Sequence, residues 1–176
     1  MVSDKRRAKI KQVKAQRQKD LVVVIEDIYD PHNAAAIWRT CEAYGVSDIY
    51  LIFEKQEAFD PKRVGKKSSA TANKWLHFHV FDKTSQCLTE LKQKGYQIIG
   101  TVLDKDAKNI YEFTWPKKIA LLVGNEHSGL STQAIGQCDS KVIIPMLGMV
   151  QSLNVSVSTA IFLSEIYRFR NVPVSE

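Results

Sequence analysis

The feature that most constrains this sequence is a set of short, uninterrupted apolar runs separated by segments with helical periodicity. The clearest runs are Leu21–Glu26 and Ile119–Val123, which lack the apolar–polar alternation of a half-exposed strand. Strands of this kind are covered on both faces, which is typical of parallel sheets whose strands are joined by helices. The pattern therefore predicts one α/β domain, in which a mostly parallel sheet is covered by helices on both faces.

The same pattern predicts the order of the elements. We expect strands at Leu21–Glu26, Asp48–Phe53, Leu76–Phe81, Tyr96–Leu103, Lys118–Val123 and Lys141–Ile144. We expect helices at Asn33–Tyr44, Thr84–Lys94, Ser131–Cys138 and Ser152–Arg170. The polar, basic stretch 56–73 predicts a long loop that runs into a short helix.

Positive charge is concentrated at the N-terminus. Residues 1–20 contain eight Lys and Arg and two Asp. Their net charge of +6 equals the net charge of the whole chain. We interpret residues 1–20 as a basic helical arm and residues 21–176 as the folded domain. The arm has few apolar residues to bury, so we expect a marginal helix that is ordered by a partner or by the domain.

Several classes of protein are not supported. The aliphatic runs are too short to span a bilayer, and the charged N-terminus lacks the apolar segment of a secretory signal. The three cysteines are widely spaced and include no Cys-x-x-Cys pair, so neither a disulfide framework nor a zinc site is indicated. We expect a cytoplasmic protein with no membrane partner and no metal.

Nucleotide-binding motifs are also incomplete. Gly124 and Gly129 have the spacing of a phosphate-binding loop, but Leu130 stands where that loop requires lysine. No G-x-G-x-x-G follows a predicted strand. The sequence therefore does not favour a P-loop NTPase or a Rossmann dehydrogenase.

The last predicted helix has two apolar stripes. One contains Val155, Thr159, Phe162, Ile166 and Phe169, and the other contains Leu153, Val157, Ala160, Ile161 and Ser164. Packing on one sheet needs only one stripe. We expect the second stripe to contact another subunit of a homodimer, with deep burial in a monomer as the alternative.

Three loops that follow predicted strands contain polar and glycine-rich sequence, and ligands of open α/β sheets bind in such loops. Residues 30–39 follow the first strand, residues 124–131 follow the fifth, and residues 145–154 follow the sixth. The motifs are NAAAIWRTCEAYGV at 33–46, VGNEHSGLS at 123–131 and IPMLGMVQSLNVSV at 144–157.

These motifs, in this order, resemble the signature motifs of the SPOUT (trefoil-knot) RNA methyltransferases, most closely those of the tRNA (guanosine-2′-O-)-methyltransferase group. The resemblance covers about residues 20–170. It implies a C-terminal trefoil knot and a homodimer with its active site at the interface. It also implies methyl transfer from S-adenosyl-L-methionine to a ribose 2′-hydroxyl in tRNA, with guanosine 18 of the D-loop as the suggested target. The alternatives are ribosomal RNA, another tRNA position, or a non-catalytic RNA-binding SPOUT protein.

The resemblance also implies catalytic residues. Arg39 is expected to bind an RNA phosphate and the reacting ribose, because a guanidinium keeps its proton near neutral pH. Asn33 is expected to shape the active-site loop and contact Arg39 or substrate, and Glu126 to orient Arg39 or backbone amides of the third loop. Ser152 and Asn154 would begin the last helix and position the methyl donor and the substrate. Helix capping is the structural alternative for Asn33, Ser152 and Asn154.

Two further sets of residues follow from the resemblance and the charge pattern. The methyl donor is expected to contact Thr101, Gly124, Ile144, Met146 and Leu153. Basic side chains near a ribose-methylating site are candidates for phosphate contacts, although a solvated surface is the ordinary alternative. The predicted RNA-binding residues are Lys5, Arg6, Arg7, Lys62, Arg63, Lys66, Lys67 and Arg168.

Overall fold

The computed structural model describes residues 3–64 and 72–172. Within these residues the strands are β1 (Leu21–Glu26), β2 (Asp48–Ile52), β3 (His77–Phe81), β4 (Gln97–Thr101), β5 (Lys108–Asn109), β6 (Ile119–Val123) and β7 (Ser140–Ile143). They form one sheet in the order β3-β2-β1-β6-β4-β7-β5, in which neighbouring strands pair in parallel. The predicted α/β class is confirmed.

Helices cover both faces of this sheet. They are α1 (Asp4–Ala15), α2 (Pro31–Ala43), α3 (Thr84–Gln93), α4 (Thr132–Gln137) and α5 (Val155–Asn171), with a short 3-10 helix at Ala72–Trp75. Helices α2 and α5 pack against each other in one core, whereas α3 and α4 contribute to the core on the opposite face. In this part of the chain, no helix combines the length and apolar character that a membrane span requires.

Strand β1 lies at the centre of the sheet and explains the uninterrupted apolar pattern. All six of its residues are buried. Leu21, Val23 and Ile25 belong to the core under α2 and α5, and Val22 and Val24 belong to the core under α3 and α4. Because both faces are covered, the strand has no solvent-facing positions that would require polar residues.

Several predicted bounds shift by one or two residues, and two elements differ more from the sequence-based expectation. Strand β5 was not predicted, because two residues at the edge of a sheet carry no periodicity. The last helix begins at Val155 rather than Ser152, since the Asn154 side chain accepts a hydrogen bond from the Ser156 amide and caps the helix. The expectation that Ser152 begins the helix is therefore wrong; Ser152 lies in the preceding loop.

The two stripes of α5 have different surroundings. Val155, Thr159, Phe162 and Ile166 are buried against the domain. On the second stripe, Val157 is 48% exposed. This stripe is left partly open to solvent by the described residues.

Helix α1 touches the domain lightly. None of its residues is buried, and Ile10 and Val13 are half-buried. The chain that follows is fixed more firmly, because Gln18 donates its amide to Gly45 O at 2.9 Å and its side-chain Nε2 to Tyr44 O at 2.7 Å. The predicted helix in the arm is present and is anchored at its C-terminal end.

Candidate active site

A chain of hydrogen bonds joins the three motif loops at the carboxyl edge of the sheet. The Glu126 carboxylate accepts the backbone amides of Tyr29 at 2.9 Å and Asp30 at 3.1 Å. It also accepts Asn33 Nδ2 at 2.9 Å. Asn33 Oδ1 in turn accepts Asn154 Nδ2 at 3.0 Å. Residues that are about 120 positions apart in sequence are thus held in one network.

The geometry gives Glu126 partners that the sequence did not indicate, and it excludes the capping alternative for Asn33. Glu126 was expected to orient Arg39 or the third loop, but it binds amides of the first loop, which point toward it just before α2 begins. Asn33 does not cap α2, because Asp30 is the N-cap and accepts the His32 amide at 2.8 Å. The Asn33 side chain is thereby available to connect Glu126 with Asn154.

The environment of Glu126 favours its ionised form. Partial burial alone would raise the pKa of this carboxyl, but the hydrogen bonds from Asn33 and from backbone amides outweigh it and lower the pKa below its ordinary value. The carboxylate is therefore ionised at neutral pH and serves as an acceptor for all three donors.

The lowered pKa predicts a pH-dependent contribution to stability. A lowered pKa in the folded state stabilises the protein above the unfolded-state value of about 4.3, and this contribution is lost as the pH falls through the folded-state pKa. We expect Glu126→Gln to melt at a lower temperature than wild type at pH 7, and the difference to shrink between about pH 5 and pH 3. Thermal melts at several pH values measure this, with the exposed Glu57→Gln variant as the control. A difference that stays constant down to pH 3 would contradict the assignment.

A cavity of about 520 Å³ adjoins this network. Its size lies within the range of small-ligand sites. All five residues that were predicted to bind the methyl donor line it: Thr101, Gly124, Ile144, Met146 and Leu153. Glu126 and Ser152 also line it, whereas Arg39, Asn33 and Asn154 do not. The ends of β4, β6 and β7 and the first turns of α5 form its walls.

The wall at the end of β6 depends on glycine. The backbone of residues 129 and 130 passes so close to Gly124 that a Cβ there would lie 2.3 Å from Gly129 C and 2.4 Å from Leu130 N. Reciprocal backbone hydrogen bonds between Asn125 and Gly129, at 3.0 and 2.9 Å, close this loop. The loop is tight because no side chain separates its two ends.

Asn125 was missed by the sequence reasoning. Its Oδ1 accepts the amides of His127 and Ser128, and its Nδ2 donates to Asp27 O at 2.7 Å. Asparagine commonly folds back onto amides two and three residues ahead in a turn. An asparagine directly after a strand and a glycine was the available signal.

Arg39 lies exposed on α2, six residues after Asn33. Six residues of helix correspond to a rise of about 9 Å, so Arg39 lies below the network rather than within it. It stands outside the cavity lining, on a surface that a large substrate can reach. This position suits contact with a polymer better than contact with a small enclosed ligand.

The predicted RNA-binding residues have different environments. Lys5, Arg6 and Arg7 are exposed on α1, and Lys62 is exposed in the loop after β2. Arg63 pairs with Asp60 at 3.3 Å, and the Arg168 guanidinium donates to both oxygens of Glu165 at 2.8 and 2.6 Å. Lys66 and Lys67 lie outside the described residues. Across 3–64 and 72–172, no cluster of His, Cys, Asp or Glu suited to a metal ion occurs.

The fold and the joined loops define an α/β methyltransferase of the kind that the motifs indicated. Residues 20–164 match the model of the SpoU rRNA methylase family, and the chain belongs to that family. It is 39% identical over 170 residues to the tRNA (guanosine(18)-2′-O)-methyltransferase of Aquifex aeolicus, covering 97% of this chain and 79% of that protein.

Solved structures agree with this placement. The crystal structure of the Aquifex aeolicus TrmH/SpoU tRNA modifying enzyme superposes with a TM-score of 0.84 at 36% identity, over 93% of this chain and 83% of that chain. The SpoU methyltransferase AviRb from Streptomyces viridochromogenes, solved in complex with the cofactor AdoMet, superposes with a TM-score of 0.79 at 26% identity. That match covers 90% of this chain and 60% of the other.

Proposed function

We propose that this protein is an S-adenosyl-L-methionine-dependent tRNA 2′-O-methyltransferase that acts on guanosine 18. The observation that supports it most is the convergence of the three motif loops beside one cavity. Relatives from Aquifex aeolicus and Escherichia coli with this activity in their names are 39% and 35% identical over 97% and 94% of the chain.

The cavity fits the cofactor. Gly124 permits the close approach of the backbone at residues 129 and 130, and Ile144, Met146 and Leu153 provide apolar parts of the wall. The Thr101 hydroxyl donates to Leu122 O at 3.1 Å and so fixes the β4 end beside β6. S-adenosyl-L-methionine supplies an electrophilic methyl group to this site.

The remaining residues act on the RNA. Arg39 binds an RNA phosphate and holds the reacting ribose, and a phosphate oxygen accepts the proton of the 2′-hydroxyl because a guanidinium does not. Glu126, Asn33 and Asn154 fix the first turn of α2 relative to the start of α5. Ser152 contributes a hydroxyl at the cavity wall. Positioning of this kind supplies much of the rate of a displacement reaction.

Methyl mapping tests the proposed function. Purified protein is incubated with labelled methyl donor and unmodified tRNA, and 2′-O-methyl nucleotides are located by mass spectrometry, with ribosomal RNA as a second substrate. We expect label on the ribose of guanosine 18. Label on a base, label on ribosomal RNA alone, or none despite RNA binding would contradict the proposal; the last outcome would favour a non-catalytic binding protein.

We also propose a homodimer. Its interface would use the open stripe of α5 and the neighbouring third loop, where Leu147 and Met149 are fully exposed apolar side chains and Val157 is 48% exposed. Exposed apolar surface of this kind marks an interaction site. The C-terminal knot implied by the motifs stays a prediction.

The dimer can be tested at Val157. We expect Val157→Glu to raise the dimer dissociation constant by about 100-fold or more, since it places an unpaired charge in an apolar contact. Sedimentation equilibrium measures this, with Val172→Glu as a control at an exposed site beyond α5. Equal masses for wild type and Val157→Glu at all concentrations would contradict the proposed interface.

Residues 1–20 are proposed as an RNA-binding arm and residues 21–176 as the catalytic domain. The best-placed phosphate contacts are the exposed Lys5, Arg6 and Arg7 of the arm and the exposed Lys62 of the domain, because Arg63 and Arg168 already pair with carboxylates. The cytoplasm is the proposed compartment, as the location of the tRNA substrate.

A further inference from the structure

A second cavity lies between the arm and the domain. It has a volume of about 550 Å³, comparable to the first, and lies within the range of small-ligand sites. One wall is a single face of α1, made by Arg6, Lys9, Ile10, Val13 and Lys14, and continues to Arg17, two residues beyond the helix. The other wall is made by Glu42, Lys74, Trp75 and His77. We call this space the arm cleft.

The arm cleft is strongly cationic. Among the described residues that line it, Arg6, Lys9, Lys14, Arg17 and Lys74 are basic and Glu42 is acidic. Within 3–64 and 72–172, the buried Nη1 of Arg17 has no hydrogen-bond partner. Such a donor is costly, and five basic side chains around one carboxylate favour an anionic ligand in the cleft. Phosphate is an anion that arginine and lysine commonly bind.

The cleft also contains a partly exposed aromatic ring. Of the protein's three tryptophans, all in the described residues, Trp38 and Trp115 are 0% and 4% exposed, whereas Trp75 is only half-buried. Ile10 and Val13 provide apolar surface on the facing wall. Unpaired bases of RNA stack on aromatic side chains, while arginine and lysine bind the adjoining phosphates. Basic side chains beside a partly exposed indole ring could therefore bind the phosphate and the base of one nucleotide.

The cleft is near enough to the candidate active site for one RNA to reach both. Asn33 lies in the first turn of α2 and Glu42 in the last, which corresponds to a separation of about 13 Å along the helix. Arg39 lies between them on the exposed side of α2. An extended strand that passes Arg39 would therefore reach the cleft within a few nucleotides.

We propose that the arm cleft binds one unpaired nucleotide of the RNA substrate, a few positions from the methylated ribose. Trp75 stacks on its base, and Arg17, Lys14 and Lys74 bind its phosphate. This inference rests on the proposed function and assigns the arm a specific pocket rather than a general attraction for polyanions.

Matched variants test the cleft by binding alone, without methyl donor. The probe is a fluorescently labelled, unmodified tRNA transcript, and its affinity is measured by anisotropy at several salt concentrations. We expect Trp75→Leu to weaken binding about tenfold and Trp75→Phe to stay near wild type, since phenylalanine retains a stacking surface. Saturating unlabelled tRNA should quench the intrinsic emission of wild-type protein, because Trp75 is its accessible tryptophan.

Charge variants on the two faces of α1 provide a second test. Lys14→Gln removes a cation inside the cleft, and Lys11→Gln removes the same charge from the same helix outside it. We expect Lys14→Gln to weaken binding and reduce the salt slope by about one, and Lys11→Gln to do so much less. Equal effects of the two, or identical affinities for Trp75→Leu and Trp75→Phe, would overturn the inference.

The experiments distinguish a wrong assignment of the arm cleft from a wrong assignment of the reaction. If guanosine 18 is methylated while the cleft variants bind tRNA like wild type, the cleft is wrong and the function stands. If the cleft variants weaken tRNA binding but no ribose is methylated, the cleft stands and the proposed reaction is wrong.

Discussion

Arg39→Ala is expected to lower the rate of methyl transfer at saturating donor and tRNA by about 100- to 1,000-fold, the effect of removing one preorganised donor from a reacting oxygen. Arg39 is exposed, and it lies outside the cavity lining. Its removal should therefore leave the fold and donor binding nearly unchanged. Single-turnover transfer of labelled methyl measures the loss, with donor affinity from calorimetry beside it.

The Arg39→Lys variant tests whether the positive charge of Arg39 is sufficient or its planar guanidinium is also needed. Lysine keeps the positive charge but loses the planar fork that binds two oxygens at once. We expect this variant to bind tRNA almost normally and to transfer methyl at least tenfold more slowly than wild type. Near wild-type turnover in Arg39→Lys would contradict the assigned role, because a point charge would then be sufficient.

Gly124→Ala is expected to reduce affinity for the methyl donor by about 100-fold or more and to lower the melting temperature. The added Cβ would lie 2.3 to 2.5 Å from backbone atoms of Gly129 and Leu130, which cannot rotate away as a flexible side chain can. The loop from 124 to 129 must then open, and it forms one wall of the cavity. Calorimetric titration with S-adenosyl-L-methionine measures the loss.

A second glycine provides the matched control. A Cβ at Gly136 meets nothing within 4 Å, so Gly136→Ala in α4 adds the same methyl group without a clash. We expect it to bind the donor like wild type, with equal or higher stability because alanine favours helix. Equal donor affinities for Gly124→Ala and Gly136→Ala would show that the loop is not part of the donor site.

The central strands could be predicted from the sequence because both of their faces are buried. Strand β1 was predicted with its observed bounds, since every residue from 21 to 26 is apolar except the last. Strand β5 could not be predicted, because two residues at a sheet edge leave no pattern. The start of α5 was placed three residues early, because serine and asparagine are both good capping residues and only geometry selects Asn154.

At the site, the motifs indicated which residues to consider but not which atoms they contact. Two of the three partners of Glu126 are backbone amides of the first loop, and backbone amides carry no signal in sequence. The arm cleft is formed by α1 and the residues that follow it, by α2, and by residues 74–77 at the start of β3, which only the tertiary structure brings together. Long-range contacts of this kind account for most of what the sequence left open.

The network of Glu126, Asn33 and Asn154 has a direction. An ionised carboxylate only accepts hydrogen bonds, so Asn33 must present its nitrogen to Glu126 and its oxygen to Asn154. Asn154 must then turn its own nitrogen toward Asn33, and its oxygen is left to cap α5. One negative charge thus sets the orientation of two side-chain amides, and it leaves the Asn154 oxygen directed at the first turn of α5.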